Sequence, residues 1–246
     1  RYKYIFIVVT LLFIIFCRSD NKQHNIRGYD CGVTVAVITS HRENAFYLID
    51  VVAPFKHVVV YNTAKKHPSL HDNEGELRLH ASIKSIWTDV RMVVPYAGLR
   101  TDAHITRRYR NVNVVKTEKR KRWWQKQNLD FLHVARDLRL KYKASHYIIL
   151  EDDNVYSGDI TVCDMATLMK DTGPIVHMGV GMGALFISDA MLESFIGYMS
   201  LRADTLPVDW MLETFIDSLG LKMIHRSYFK HVGVISTKPD LVVGMF

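Results

Sequence analysis

Three consecutive carboxylates, Glu151-Asp152-Asp153, follow the apolar run Tyr147-Ile148-Ile149-Leu150 and precede Asn154. Acids packed side by side repel one another unless a cation joins them, and a divalent metal that also grips a diphosphate would do so. An acidic turn whose carboxylates accept backbone N–H groups is the plainer alternative. Further along, Pro207-Val208-Asp209-Trp210 leads to Glu213. Pro favours the first position of a helix, which puts Asp209 in a first turn, where the helix dipole favours an acid, and Glu213 one turn on along the same face. Asp209 is the candidate general base for a hydroxyl proton, with Glu213 in reserve; Asp209 reads equally well as a helix cap. His231, in Phe229-Lys230-His231-Val232-Gly233, is a candidate metal or diphosphate contact, although a lone His after an aromatic is more often a core or surface residue.

The elements around these residues alternate between strand and helix. Gly32 to Thr39 reads as a buried strand, Ser40-His41-Arg42-Glu43 turns into a helix of about ten residues, and His57 to Tyr61 is a second strand. Leu77 to Ile86 reads as helical, and Val90 to Val94 and Val112 to Val115 as short strands. Trp124 to Tyr142 is a long amphipathic helix with Leu129, Leu132, Ala135, Leu138 and Tyr142 on one stripe. The strand ending in the acids follows. This order predicts an α/β fold: a mostly parallel central sheet with flanking helices and right-handed crossovers. The first strand and the acidic strand then deliver their carboxyl ends to one edge, where a nucleotide would sit. The small-residue run Gly179-Val180-Gly181-Met182-Gly183-Ala184 lacks the strand–turn–helix context of a dinucleotide fingerprint. It reads either as close packing or as backbone that a ligand approaches.

The net charge of +7 is concentrated: residues 107 to 143 hold thirteen Lys/Arg against three Asp/Glu. With Trp123 and Trp124 inside it, that patch invites a nucleic-acid reading, but no nucleic-acid module signature accompanies it. A patch that holds a nucleotide diphosphate or faces anionic lipid fits better, with no nucleic-acid partner; part of it is a solvated basic surface.

Tyr4 to Cys17 is almost wholly apolar and is flanked by Arg1, Lys3 and Arg18. It spans about 21 Å as a helix, short of a usual bilayer span. Residues 1 to 18 are expected to form a signal-anchor, with a cleaved signal peptide and a buried helix as alternatives. Residues 19 to 30 form a short polar stem, and 31 to 246 one domain with a single good-sized core. Cys31 and Cys163 either pair in an oxidising lumen or stay as buried thiols. No C-x-x-C spacing is present.

Four blocks in order, Arg122-Trp-Trp-Gln-Lys126-Gln-Asn128-Leu-Asp130-Phe, Tyr147-Ile-Ile-Leu-Glu-Asp-Asp153, Pro207-Val-Asp209-Trp-Met-Leu and Phe229-Lys-His231-Val-Gly233, resemble the N-acetylglucosaminyltransferase IV family. Thr39-Ser-His-Arg42-Glu43 resembles that family's first nucleotide-binding turn. The resemblance implies a GT-A-type fold and a metal-dependent, inverting transfer of N-acetylglucosamine from a UDP-sugar to a glycan acceptor on protein or lipid. The implied acceptor is the mannose core of N-glycans, and the enzyme would sit in the Golgi or ER membrane with its catalytic domain lumenal. A transferase acting on GPI-anchor glycans, or an inactive lumenal binding protein of the same fold, are the alternatives. By the same resemblance Asp153 and His231 would hold Mn²⁺ (or Mg²⁺) and Asp152 the ribose or sugar, backed by Glu151. Thr39, Arg42, Arg122, Lys126, Asn128 and Asp130 would line the donor site, the cations pairing with phosphate oxygens.

Overall fold

The computed structural model describes residues 31–40, 47–64, 70, 74–86, 118–179, 182–203 and 206–232. Its central strands are the apolar, β-branched runs of the sequence. Strand β1 is Val33–Thr39 and β2 is Val58–Asn62, with helix α1, Tyr47–Val52, between them. Helix α2, Glu74–His80, runs directly into β3, Ala81–Ser85. The long helix α3, Glu118–Tyr142, leads to β4, His146–Glu151, and the short β5, Asn154–Tyr156. Then come α4 (Val162–Thr172), β6 (Ile175–His177), β7 (Ala184–Ser188), α5 (Asp189–Ser200), α6 (Val208–Ser218), β8 (Ile224–His225) and β9 (Phe229–His231).

Seven strands form one sheet in the order β3-β2-β1-β4-β7-β6-β8, and β5 pairs with β9 in a separate ribbon. Strands β3, β2, β1 and β4 are mutually parallel, β7 is antiparallel to both neighbours, and β8 is parallel to β6. The expected mostly parallel sheet is therefore present. The chain steps outward from β1 through β2 to β3, then returns to pair β4 with the opposite edge of β1. That reversal opens a crevice at the carboxyl ends of β1 and β4, where open α/β sheets bind ligands.

Successive strand side chains face opposite ways, so each strand feeds two cores. Tyr147 and Ile149 join Phe131, Leu132 and Leu138 of α3, Phe195 of α5 and Met211 and Phe215 of α6 on one face. Ile148 and Leu150 join Val35, Val37, Val51, Leu77, Met165 and Met169 on the other. Each such buried side chain contributes about 1.5–3 kcal/mol of transfer free energy. This two-faced burial is why β1 and β4 read as unbroken apolar runs.

Cys31 and Cys163 form a disulfide that ties the entry of β1 to α4. The predicted stripe on α3 holds: Leu132, Ala135 and Leu138 are buried, and Leu129 and Tyr142 pack against the same core. The helix itself starts at Glu118, six residues before the expected Trp124. The helix expected over Leu77 to Ile86 is corrected: it ends at His80, and Ala81–Ser85 pairs in parallel with β2. That edge strand is only half buried, so its pairing rather than its own pattern decides its state. Residues 1–30, Arg42 and the strands expected at 90–94 and 112–115 lie outside the described residues. Among the described residues no helix is long and apolar enough to cross a membrane.

Candidate functional site

The crevice between β1 and β4 brings together residues from four parts of the chain. Thr39, the last residue of β1, donates from Oγ1 to Asp152 Oδ2 at 2.6 Å, and both side chains are buried. The Thr39 carbonyl accepts two bonds from Thr63, from its N at 2.9 Å and its Oγ1 at 3.0 Å. Thr63 in turn offers its own carbonyl to Lys126 Nζ at 2.8 Å, and Lys126 also pairs with the Asp130 carboxylate one turn on along α3. Thr39, Lys126, Asp130 and Asp152 thus belong to one bonded network at the carboxyl edge of the sheet. Glu151, half buried, closes β4 with its N donating to the Gly183 carbonyl at 2.9 Å.

Asp153 sits where the chain leaves the main sheet for the β5–β9 ribbon. In that ribbon Asn154 is in register with His231. His231 Nε2 lies 3.2 Å from Asp153 Oδ2, and Asn154 Nδ2 donates to Asp153 Oδ1 at 2.9 Å. The Val232 N–H donates to the Asp153 carbonyl at 2.8 Å, which fixes the ribbon against the turn. Asp153 is 3 % exposed, whereas the His231 side chain is 34 % exposed, so the pair has one buried and one open end. A carboxylate and an imidazole are both ligand types for Mn²⁺. Among the described residues no group of three or more His, Cys, Asp or Glu is arranged to hold a metal ion unaided. A cation between Asp153 and His231 would take its remaining ligands from bound oxygens, as a diphosphate site does.

Two glycines of the small-residue run, Gly179 and Gly183, pack closely on Asn154. A Cβ on Gly183 would collide with the Asn154 side-chain amide, and one on Gly179 would stand 3.1 Å from its Oδ1. These glycines let Asn154 seat itself fully buried beside Asp153. Asn128 also has a structural role, since its Nδ2 donates to the Ala203 carbonyl at 2.6 Å and the Leu206 carbonyl at 2.8 Å and so holds the approach to α6. Arg122 is exposed near the start of α3, beside the half-buried Trp123 and Trp124.

A second feature adjoins this edge. A cleft of about 260 Å³ is lined by Asp209, Leu212 and Glu213 of α6, His177 and His225 of the paired β6 and β8, and Gly179, Met182 and Met223. The rise of an α-helix places Asp209 and Glu213 on one face, and here that face borders the cleft while Val208, Met211 and Phe215 fill the core. Pro207 is the cap residue rather than the first helical one and offers no side-chain bond; Asp209 Oδ1 accepts from the Trp210 N–H at 3.0 Å. His177 and His225 are in register and their rings meet edge to face at 5.2 Å. Burial holds His177 below the ordinary histidine range; His225 adds to this and Glu213 partly opposes it. Gly179 borders the cleft and packs on Asn154, whose Nδ2 donates to Asp153. Sequence reasoning singled out neither His177 nor His225. Each stands alone in its local context, and only the β6–β8 pairing joins them.

No protein-family model matches the chain, and no curated protein does. Among solved structures, the chain is similar to the apo crystal structure of mouse xyloside xylosyltransferase 1, with 9 % identity, a TM-score of 0.42, and coverage of 79 % of this chain and 84 % of that one.

Proposed function

We propose that this chain is a metal-dependent, inverting glycosyltransferase that moves N-acetylglucosamine, or a related sugar, from a UDP-sugar to a glycan. The observation that carries the reading is the meeting of Thr39–Asp152 and Asp153–His231 at the crevice where the strand order reverses. The resemblance of the four sequence blocks supplies the donor and acceptor classes. Asp152, held by Thr39, orients the ribose or sugar side of the donor. Asp153 and His231 hold Mn²⁺ or Mg²⁺, which when bound stabilises negative charge on the departing diphosphate. Arg42 and Arg122 contribute positive charge for phosphate oxygens. Asp209 removes the acceptor hydroxyl proton as that oxygen bonds to the anomeric carbon and the bond to UDP breaks on the opposite face. Glu213, one turn on, flanks the same acceptor.

The mannose core of N-glycans is the acceptor class implied by the sequence blocks, with GPI-anchor glycans second. The Cys31–Cys163 disulfide suits an oxidising lumen, in line with an N-terminal membrane anchor and a Golgi or ER location. A screen of UDP-sugar hydrolysis across several donors, with and without Mn²⁺, tests activity and donor without an acceptor. Metal-dependent release of UDP from one donor is the expected result. UDP binding without hydrolysis of any donor would favour an inactive binding protein of the same fold, and no UDP binding at all would remove the reading.

A further inference from the structure

Asn154 is an amide placed where packing alone does not call for one. It is fully buried, and its Oδ1 has no hydrogen-bond partner among the described residues. A buried acceptor left unpaired costs free energy that an apolar side chain in the same place would not. The other end of the amide is engaged: Nδ2 donates to Asp153 Oδ1 at 2.9 Å. An ionised carboxylate only accepts, so the amide turns its nitrogen to Asp153 and its oxygen away. The second Asp153 oxygen, Oδ2, lies 3.2 Å from His231 Nε2, and His231 stands opposite Asn154 in the β5–β9 ribbon. Asn154 therefore adjoins both members of the pair. The terminal torsion of an aspartate is broad, with two wells; a donor on Oδ1 narrows it and leaves Oδ2 directed at His231. Two glycines make room for this amide. A Cβ on Gly183 would collide with both its Nδ2 and its Oδ1, and one on Gly179 would stand 3.1 Å from Oδ1.

We propose that Asn154 is a positioning residue for the cation site: its Nδ2 holds one oxygen of Asp153 so that the other is presented, with His231, to the metal. The inference rests on the cation site of the glycosyltransferase reading and adds the residue that aims its carboxylate. Asn154 touches neither metal nor substrate in this role, and no covalent step is assigned to it. Groups that orient a metal ligand in this way are typically worth about ten- to a hundredfold in metal affinity.

The test titrates Mn²⁺ into the protein, with and without UDP, and reads the free ion by electron paramagnetic resonance. Asn154→Ala removes the donor. Gly183→Ala keeps the amide and pushes it out of place. Ile148→Val, in the fully buried part of β4, is the control: it lowers the denaturation midpoint and leaves Mn²⁺ affinity unchanged. In Asn154→Ala and in Gly183→Ala the Mn²⁺ affinity measured with UDP is expected to fall by about tenfold or more, while UDP affinity at saturating Mn²⁺ stays near the wild-type value. A residue that only fills space would move the midpoint, as Ile148→Val does, and not the Mn²⁺ affinity. Wild-type Mn²⁺ affinity in Asn154→Ala would overturn the proposal; should that variant not fold, the same result in Gly183→Ala would do so. A wild-type protein that binds no Mn²⁺ in either condition would overturn it too. Mn²⁺ binding that falls in both variants of a protein that binds no UDP would leave the role of Asn154 standing and remove the donor reading instead.

Discussion

Thr39 Oγ1 donates a 2.6 Å hydrogen bond to Asp152 Oδ2, joining residues 113 positions apart across the reversal in strand order. The bond is buried and charge-assisted, so it orients the second acid of the triplet and ties β1 to β4 beyond their backbone ladder. Thr39→Val keeps the branched shape and removes the donor. It is expected to cost about 1–3 kcal/mol of stability and to weaken UDP binding, whereas Thr39→Ser, which keeps a hydroxyl, restores most of both. Chemical denaturation and UDP titration of the two variants check this. Full stability and affinity in Thr39→Val would make the bond incidental.

Asp153 and His231 give a sharper test of the proposed cation site. Asp153→Asn keeps the size and leaves an oxygen able to accept from Asn154, so the β5–β9 ribbon should survive. Mn²⁺-dependent UDP binding is expected to disappear in Asp153→Asn and to weaken by about tenfold or more in His231→Ala. Calorimetric titration with UDP, with and without Mn²⁺, reads both. Unaltered metal dependence in both variants would place the cation elsewhere.

The fold was legible where burial on both faces left its mark. Val35 to Ile38 and Tyr147 to Leu150 are unbroken apolar runs because both faces of the sheet are buried, and the stripe on α3 was readable for the same reason. The Ala81–Ser85 strand was not, because a half-buried edge strand directly after a helix keeps no distinctive pattern and is defined by its partner. The acid triplet marked a candidate site, but not that Asp152 turns to Thr39 while Asp153 turns to His231; that division follows from the chain leaving the main sheet after Glu151. Asn128 belongs to a block that resembles a donor site, yet its amide is engaged with the carbonyls of Ala203 and Leu206. His177 and His225 carried no local signal, since a parallel pairing of two short strands joins them.

The disulfide spans 132 positions, so opening it releases a long loop in the unfolded chain. The chain-entropy model puts that near about 5 kcal/mol, the top of the range usually observed. A Cys31→Ser, Cys163→Ser double variant is expected to lose a large part of that amount by denaturant titration, and reductant is expected to destabilise the wild type but not the variant. Equal response of both proteins to reductant would argue that the bond contributes nothing.

Among the described residues, three histidines with lowered proton affinity contribute to the response to acid. Burial is the main cause that lowers the proton affinity of His133, His146 and His177, with Arg136 and Lys126 adding to the first, Lys170 to the second and His225 to the third. The unfolded chain takes up these protons near pH 6.5 and the folded protein only at lower pH. Their contribution is fully present above about pH 6.5 and is lost as pH falls towards the folded values. Asp137 and Asp189 act lower still. At Asp137 burial opposes ionisation but is outweighed by hydrogen bonds from Lys141, Tyr61 and Lys84, and at Asp189 the bonds from Arg139 dominate, so both carboxyls are held below the usual range. Denaturation midpoints are expected to fall between pH 7 and pH 5, with a shallower fall in His177→Asn. A flat profile across that interval would contradict the assignment.

Asp209 separates two roles that the geometry allows together. Its Oδ1 accepts from the Trp210 N–H at 3.0 Å, as an acid in a first helical turn does, and it also lines the cleft with Glu213. A group that only braces the helix start is replaceable by Asn, whose side-chain oxygen accepts the same bond, with a stability change within about 1 kcal/mol and little effect on turnover. A general base acts only as the proton leaves, so its loss lowers turnover without weakening the donor complex. Asp209→Asn is therefore expected to lose about a hundredfold or more in kcat, the usual scale for a general base, while UDP and Mn²⁺ affinities and the denaturation midpoint stay put. Steady-state rates with a competent acceptor, set beside UDP titrations, check this. Near-normal turnover in Asp209→Asn with a large loss in Glu213→Gln would move the base one turn along α6 and leave Asp209 to the helix start alone.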